Sequence, residues 1–253
     1  MAPAKGLSPA RLDAFLVRLN TVMQTPSGSD AVLATVCYGA RTGSVLLTTA
    51  AGRQLAADVA LDLAKRLRAL GALATELRMM TRLWGMLSMY VWARQLLQQI
   101  MARTASKKKD PLDSLVAWSQ LVSCSAYQML ENVAYLAQRG ILPLSSQAQT
   151  AAYLWSSRAF CVYVAVELGR LAATLAAKTA KAATSNSKTA QDDLRAEVRE
   201  LRRSAVRYMA FAPTTVHWSM EKGFLGESGV TLLGFVPAAL QIHKVWSDAA
   251  GKS

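Results

Sequence analysis

Helix-breaking residues are scarce enough to decide the fold class before any motif is considered: seven prolines and fourteen glycines are spread over 253 residues. These are the two residues least compatible with a helix interior, and between them the chain is rich in Ala and Leu. Apolar residues recur at helical spacing, and sustained alternation with period two is almost absent. The sequence predicts an all-α fold, a multi-helix bundle.

Caps and breakers place the elements. Ser8-Pro9 opens a helix over 8–23, with Leu12, Phe15, Leu16 and Leu19 on one face. The turn Thr25-Pro26-Ser27-Gly28-Ser29-Asp30 ends it, and a second helix is expected at about 30–51. Residues 53–102 read as one long helical stretch, bent near Gly71 and Gly85. The cluster from Thr104 to Pro111 interrupts the chain, and an apolar helix over 112–138 follows, closed by Gly140 and Pro143. A further helix covers 146–182, a polar linker 183–190, a charged helix 191–210 and an apolar segment 226–248. The organisation expected is a helical region over 1–110, a neutral apolar region over 111–182, the linker 183–190, and a charged helix with a C-terminal apolar membrane segment over 191–253.

Charge distribution narrows the class of partner. With 52% hydrophobic and 18% charged residues, disorder is excluded for the bulk of the chain. The net charge of +13 calls for a polyanionic partner, and an apolar yet basic chain favours an anionic phospholipid membrane over nucleic acid, for which no binding motif is present. The excess is local: residues 31–110 carry 12 basic and 4 acidic groups, whereas residues 111–177 carry 3 of each. Charge spread for solubility alone would be more even.

The stretch 53–84 concentrates the signal. At about 100° per residue, Leu55, Val59, Leu63, Leu70, Leu73, Leu77 and Trp84 fall in one sector, while Lys65, Arg68, Arg78 and Arg82 fall away from it. Apolar residues on one side and cations on the other suit a membrane interface; the same pattern also fits a bundle helix with a solvated face. Arg66 lies within the apolar sector and would have to snorkel. By contrast, Asp192 to Arg207 carries a narrow stripe of Leu194, Val198, Leu201 and Ala205 among charges of both signs, a solvated or helix-pairing surface.

No stretch strictly meets the roughly 20 apolar residues that a spanning helix needs. The best candidates are the charge-free windows 114–130 and 228–242. The N-terminal residues do not read as a secretory signal, and Gly251-Lys252-Ser253 is not a peroxisomal matrix tripeptide.

Catalytic patterns are missing. His217 and His243 lack companions at metal-ligand spacing, and no GxSxG, HExxH, GxGxxG or paired-carboxylate pattern occurs. Cys37, Cys124 and Cys161 sit in apolar contexts that suit small core residues. Glu131 and Glu167, the isolated acids of apolar segments, read as structural hydrogen-bond partners. No enzyme activity, cofactor or metal is expected.

Three stretches resemble one family in the order they occur: Leu19 to Asp30; Tyr127-Gln128-Met129-Leu130-Glu131-Asn132-Val133-Ala134-Tyr135-Leu136 with Gly140-Ile141-Leu142; and Pro213 to Gly223 with Gly229 to Gly234. The run Arg66 to Leu87 and Tyr90-Val91-Trp92-Ala93 is similar to that family's membrane-active region. The resemblance is to the peroxin-eleven family, in particular its fungal-type branch. It implies a protein of the peroxisomal membrane that elongates the organelle before fission, self-associates into a homo-oligomer, and works with a dynamin-related GTPase and its membrane adaptor. A pore-like metabolite conductance, with Glu131, Arg158 and Glu167 facing water, is the alternative it carries.

Overall fold

A computed structural model describes residues 8–51, 57–105, 111–184 and 187–250. These residues form eight helices and no strand, so the all-α expectation holds. The helices are α1 (Pro9–Met23), α2 (Pro26–Ala51), α3 (Ala57–Arg82), α4 (Gly85–Ala105), α5 (Pro111–Gln138), α6 (Ser146–Thr184), α7 (Lys188–Trp218) and α8 (Glu227–Ala250).

Local chemistry explains most boundaries. Thr25 Oγ1 accepts the Gly28 N–H at 3.1 Å and caps α2; a Cβ at Gly28 would lie 2.0 Å from the Val22 carbonyl oxygen, so the turn admits only glycine. Helix α5 ends in a Schellman arrangement, Ile141 N–H to Leu136 O and Gly140 N–H to Ala137 O, both 2.9 Å, with Gly140 at φ 72°. The anticipated bend at Gly85 is a full break between α3 and α4, whereas α3 runs unbroken through Gly71. Two other expectations change. Lys188–Ala190, assigned to the linker, form the first turn of α7 under the Ser187 cap, and α7 continues through Pro213 to Trp218 instead of stopping at 210. Around that proline, Thr214 and Thr215 donate their hydroxyls to the carbonyls of Phe211 and Ala212 at 2.7 and 2.8 Å.

The chain divides into two compact units, Met1–Arg78 with Phe235–Ser253, and Met79–Gly234. In the first, α2 and α3 approach through small residues: Ala31, Ala34, Cys37, Ala40 and Ser44 of α2, and Ala64, Gly71 and Ala74 of α3, are buried. A Cβ at Gly71 would sit 2.9 Å from Arg41 Cγ and 3.2 Å from the Cys37 carbonyl oxygen, so glycine permits the close approach. Cys37 Sγ and Arg41 Nη2 meet Thr75 Oγ1 at 3.1 and 3.0 Å across the same contact. Phe15 and Arg18 of α1 pack on Trp246 of α8, with ring centroids 5.2 Å apart and the guanidinium 4.9 Å from the ring.

In the second unit, α5 packs on α6, α6 on α7, and α4 on α5. Leu96, Leu121, Ala134, Tyr135, Val164, Leu171 and Val198 are buried, and a chain of rings runs from Tyr127 through Phe160 to Phe211 and Trp218, with successive centroids 4.7 to 5.8 Å apart. The mixed charges of α7 pair along its surface, Arg203 with Glu200 at 2.8 Å and Glu197 with Lys178 of α6. Glu167 is buried and held by Gln120 and Arg170, and Arg158 donates to the Ser219 carbonyl at 3.1 Å while covering Trp155.

Alanine supplies more than half of the buried apolar residues, whereas large side chains from Leu12 to Val236 stand exposed. Two helices, Pro26–Thr49 of α2 and Ser146–Thr184 of α6, are long and apolar enough to cross a membrane. The windows 114–130 and 228–242 do not reach that standard: the serines and glutamines of α5, and the shortness of the apolar run in α8, dilute them.

Candidate membrane interface

Helix α3 decides between its two apolar stripes by size. The small residues turn inward, as described above, and Val59, Leu63, Leu70, Leu73 and Leu77 are exposed, joined by Leu61 and Met80. Leu63, Leu70 and Leu77 recur every seven residues along this outer edge. Leu55 lies outside the described residues. Trp84 is 74% exposed and sits beyond the end of α3, in the Leu83–Trp84 elbow before α4.

The four expected cations separate into two pairs. Lys65 and Arg68 are exposed, away from the leucine sector. Arg78 instead turns inward, its side chain 19% exposed, and donates to both carboxylate oxygens of Asp30 at 2.8 and 3.2 Å. Burial works against the Arg78 charge, but the hydrogen bonds and charge of Asp30 outweigh it and hold the guanidinium above its ordinary pKa. Arg82 donates to the Tyr127 hydroxyl at 2.6 Å and pairs with Glu131 at 3.4 Å. Arg66, expected to snorkel, pairs with Asp62 one turn earlier at 2.8 Å.

The partners of Arg78 and Arg82 lie about fifty positions away and were not legible from local sequence. One signal was available for Arg78: Asp30 is the single acid between Asp13 and Asp58. On α4, Leu87, Tyr90, Val91, Leu97 and Met101 are exposed, as is Arg94.

The polar residues of the Tyr127–Asn132 stretch converge on the elbow. Gln128 Nε2 donates to the Arg82 carbonyl at 2.9 Å and to Asn132 Oδ1 at 2.9 Å, and Asn132 Nδ2 donates to the Leu83 carbonyl at 3.2 Å. Glu131 accepts from the Tyr127 hydroxyl at 3.2 Å. Further along the same unit, His217 Nδ1 accepts the Leu225 N–H at 2.9 Å.

Helix α3 thus carries an exposed leucine edge, with the exposed cations Lys65 and Arg68 on another side. It can bury apolar area and attract anions at once; the arrangement carries no constellation for bond-making chemistry among the described residues. Comparison with known proteins finds no matching family model, curated protein or solved structure.

Proposed function

We propose that this chain is a membrane-remodelling protein of the peroxisomal membrane, elongating the organelle ahead of fission. The observation that carries the remodelling reading is the orientation of α3: its Ala and Gly side is buried and its leucines stand outward, with Lys65 and Arg68 exposed on another side of the helix. Laid on the cytosolic leaflet, this edge inserts shallowly while the cations meet headgroups. Shallow insertion expands one leaflet relative to the other, which bends the bilayer. The peroxisomal address and the work with a dynamin-related GTPase and its adaptor rest on the resemblance to the peroxin-eleven family alone.

Self-association would concentrate curvature, and the neutral helices offer surfaces for it: Leu115, Val122 and Met129 are exposed at seven-residue intervals on α5, as are Trp155 and Val162 on α6. The conduit alternative requires Glu131, Arg158 and Glu167 to face water, but each is engaged within the second unit, which favours remodelling.

Flotation of the full chain with vesicles tests the reading. Leu70→Asp with Leu77→Asp changes exposed positions, so circular dichroism should be unchanged and binding to anionic vesicles lost. Retained binding by the folded double variant would remove α3 from the interface.

A further inference from the structure

The charges of α7 pair along its surface, and two arginines fall outside that pattern. On a helix, residues three and four positions apart are neighbours. Arg203 has Glu200 at 2.8 Å and Arg195 has Asp192 at 3.5 Å, each one turn earlier. At the same spacings Arg199 meets Arg195, Ala196, Arg202 and Arg203, and Arg202 meets Val198, Arg199, Ala205 and Val206, so neither has an acid beside it on the helix. Both are exposed, and neither forms an ion pair or a side-chain hydrogen bond among the described residues. Like charges at these spacings destabilise a helix, so the run Arg195, Arg199, Arg202 works against α7 until something neutralises it.

Helix α6 supplies no such counter-charge to this face. The three arginines line a groove of about 380 Å³ whose other wall is the end of α6, with Thr179 and Ala182. Ala182 and Val198 are buried, which gives the groove an apolar base beneath a cationic side. No acid lines it: Glu197 pairs with Lys178, and Glu200 with Arg203. Its volume lies within the roughly 300–1,000 Å³ typical of small-molecule sites. From this arrangement we propose that the α6–α7 groove binds a phosphate group, with Arg199 and Arg202 as the main ligands, Arg195 as a third and the Thr179 hydroxyl on the facing wall. Guanidinium forks donate pairs of N–H groups to phosphate oxygens, and a phosphomonoester brings a charge of about −1.5 to −2 at neutral pH, enough to offset both unpaired arginines where a carboxylate offsets one. A soluble phosphorylated compound and a phosphomonoester lipid headgroup present the same chemistry. The site lies wholly within the second unit and does not depend on the α3 edge.

The test compares the full chain with Arg199→Gln/Arg202→Gln and with a charge-matched control outside the groove, Arg203→Gln/Lys222→Gln. One arm titrates pyrophosphate at constant ionic strength and reads heat of binding and thermal midpoint; the other floats each protein with phosphatidylcholine vesicles holding either phosphatidic acid or phosphatidylserine at equal surface charge. Without anion, the groove variant should melt at or above the wild-type midpoint, because like-charge repulsion is relieved. Pyrophosphate should raise the midpoint of wild type and control, and the groove variant should need at least about tenfold more of it. That result assigns the site to a soluble phosphate compound. A preference for phosphatidic acid over phosphatidylserine, lost in the groove variant and unaccompanied by a pyrophosphate response, assigns it to a lipid headgroup. Equal behaviour of groove variant and control in both arms overturns the proposal, as does a wild-type chain that neither responds to pyrophosphate nor distinguishes the two lipids. A groove variant that melts below wild type without anion makes the arginines structural and overturns it as well.

Discussion

Arg78 and Lys65 carry the same charge on the same helix and answer to different neighbours. Lys65 is exposed, away from the leucine sector, while Arg78 is mostly enclosed and bound to Asp30. Each cation near an anionic surface contributes about 1 kcal/mol. Lys65→Ala with Arg68→Ala should therefore weaken binding to anionic vesicles by about 2 kcal/mol, roughly thirtyfold. Arg78→Ala should leave the vesicle affinity of folded protein within about twofold, and lower the unfolding free energy by about 1 kcal/mol because Asp30 loses its partner but keeps contact with water. Flotation and urea unfolding separate the two effects; a large affinity loss in Arg78→Ala would place it among the headgroup contacts after all.

At the scale of elements, the ends of α1, α5, α6 and α8 were legible because caps, prolines and Gly140 act locally. The path of α7 through Pro213 was not, since a proline inside a helical pattern reads locally as a stop. The α3 sector was legible as a set of leucines, but periodicity weights large residues and says nothing of which side packs. That choice was made by Gly71 and Thr75 meeting Cys37 and Arg41 of α2. Two substitutions on adjacent residues should thus behave oppositely. Gly71→Leu should force α2 and α3 apart and destabilise the first unit by about 1–3 kcal/mol, read as a lower thermal midpoint. Leu70→Asp, on the outer edge, should leave the midpoint nearly unchanged and reduce vesicle binding. Equal destabilisation by both would mean that the leucine edge is packed against protein.

For the whole molecule, the +13 charge and the apolar composition act on one surface through different physics. Burying about half of each leucine side chain contributes about 1 kcal/mol, so Leu63, Leu70, Leu73 and Leu77 together outweigh the roughly 2 kcal/mol from Lys65 and Arg68. Raising the ionic strength from about 0.1 to 1 M, which shortens the screening length from about 10 to 3 Å, should weaken flotation with anionic vesicles without abolishing it. Complete release at high salt would reduce the interaction to electrostatics. The proposed membrane affinity draws on the charge count over 31–110; the small-residue interior was not legible there, because burial is assigned only when helices meet.

Electron cryomicroscopy of anionic vesicles incubated with the full chain tests the central claim most directly. The wild-type protein should draw vesicles into tubules, and Leu70→Asp with Leu77→Asp should leave them spherical at the same protein concentration. Tubules of equal number with the folded double variant, or wild-type protein bound to vesicles that stay spherical, would contradict remodelling by the α3 edge.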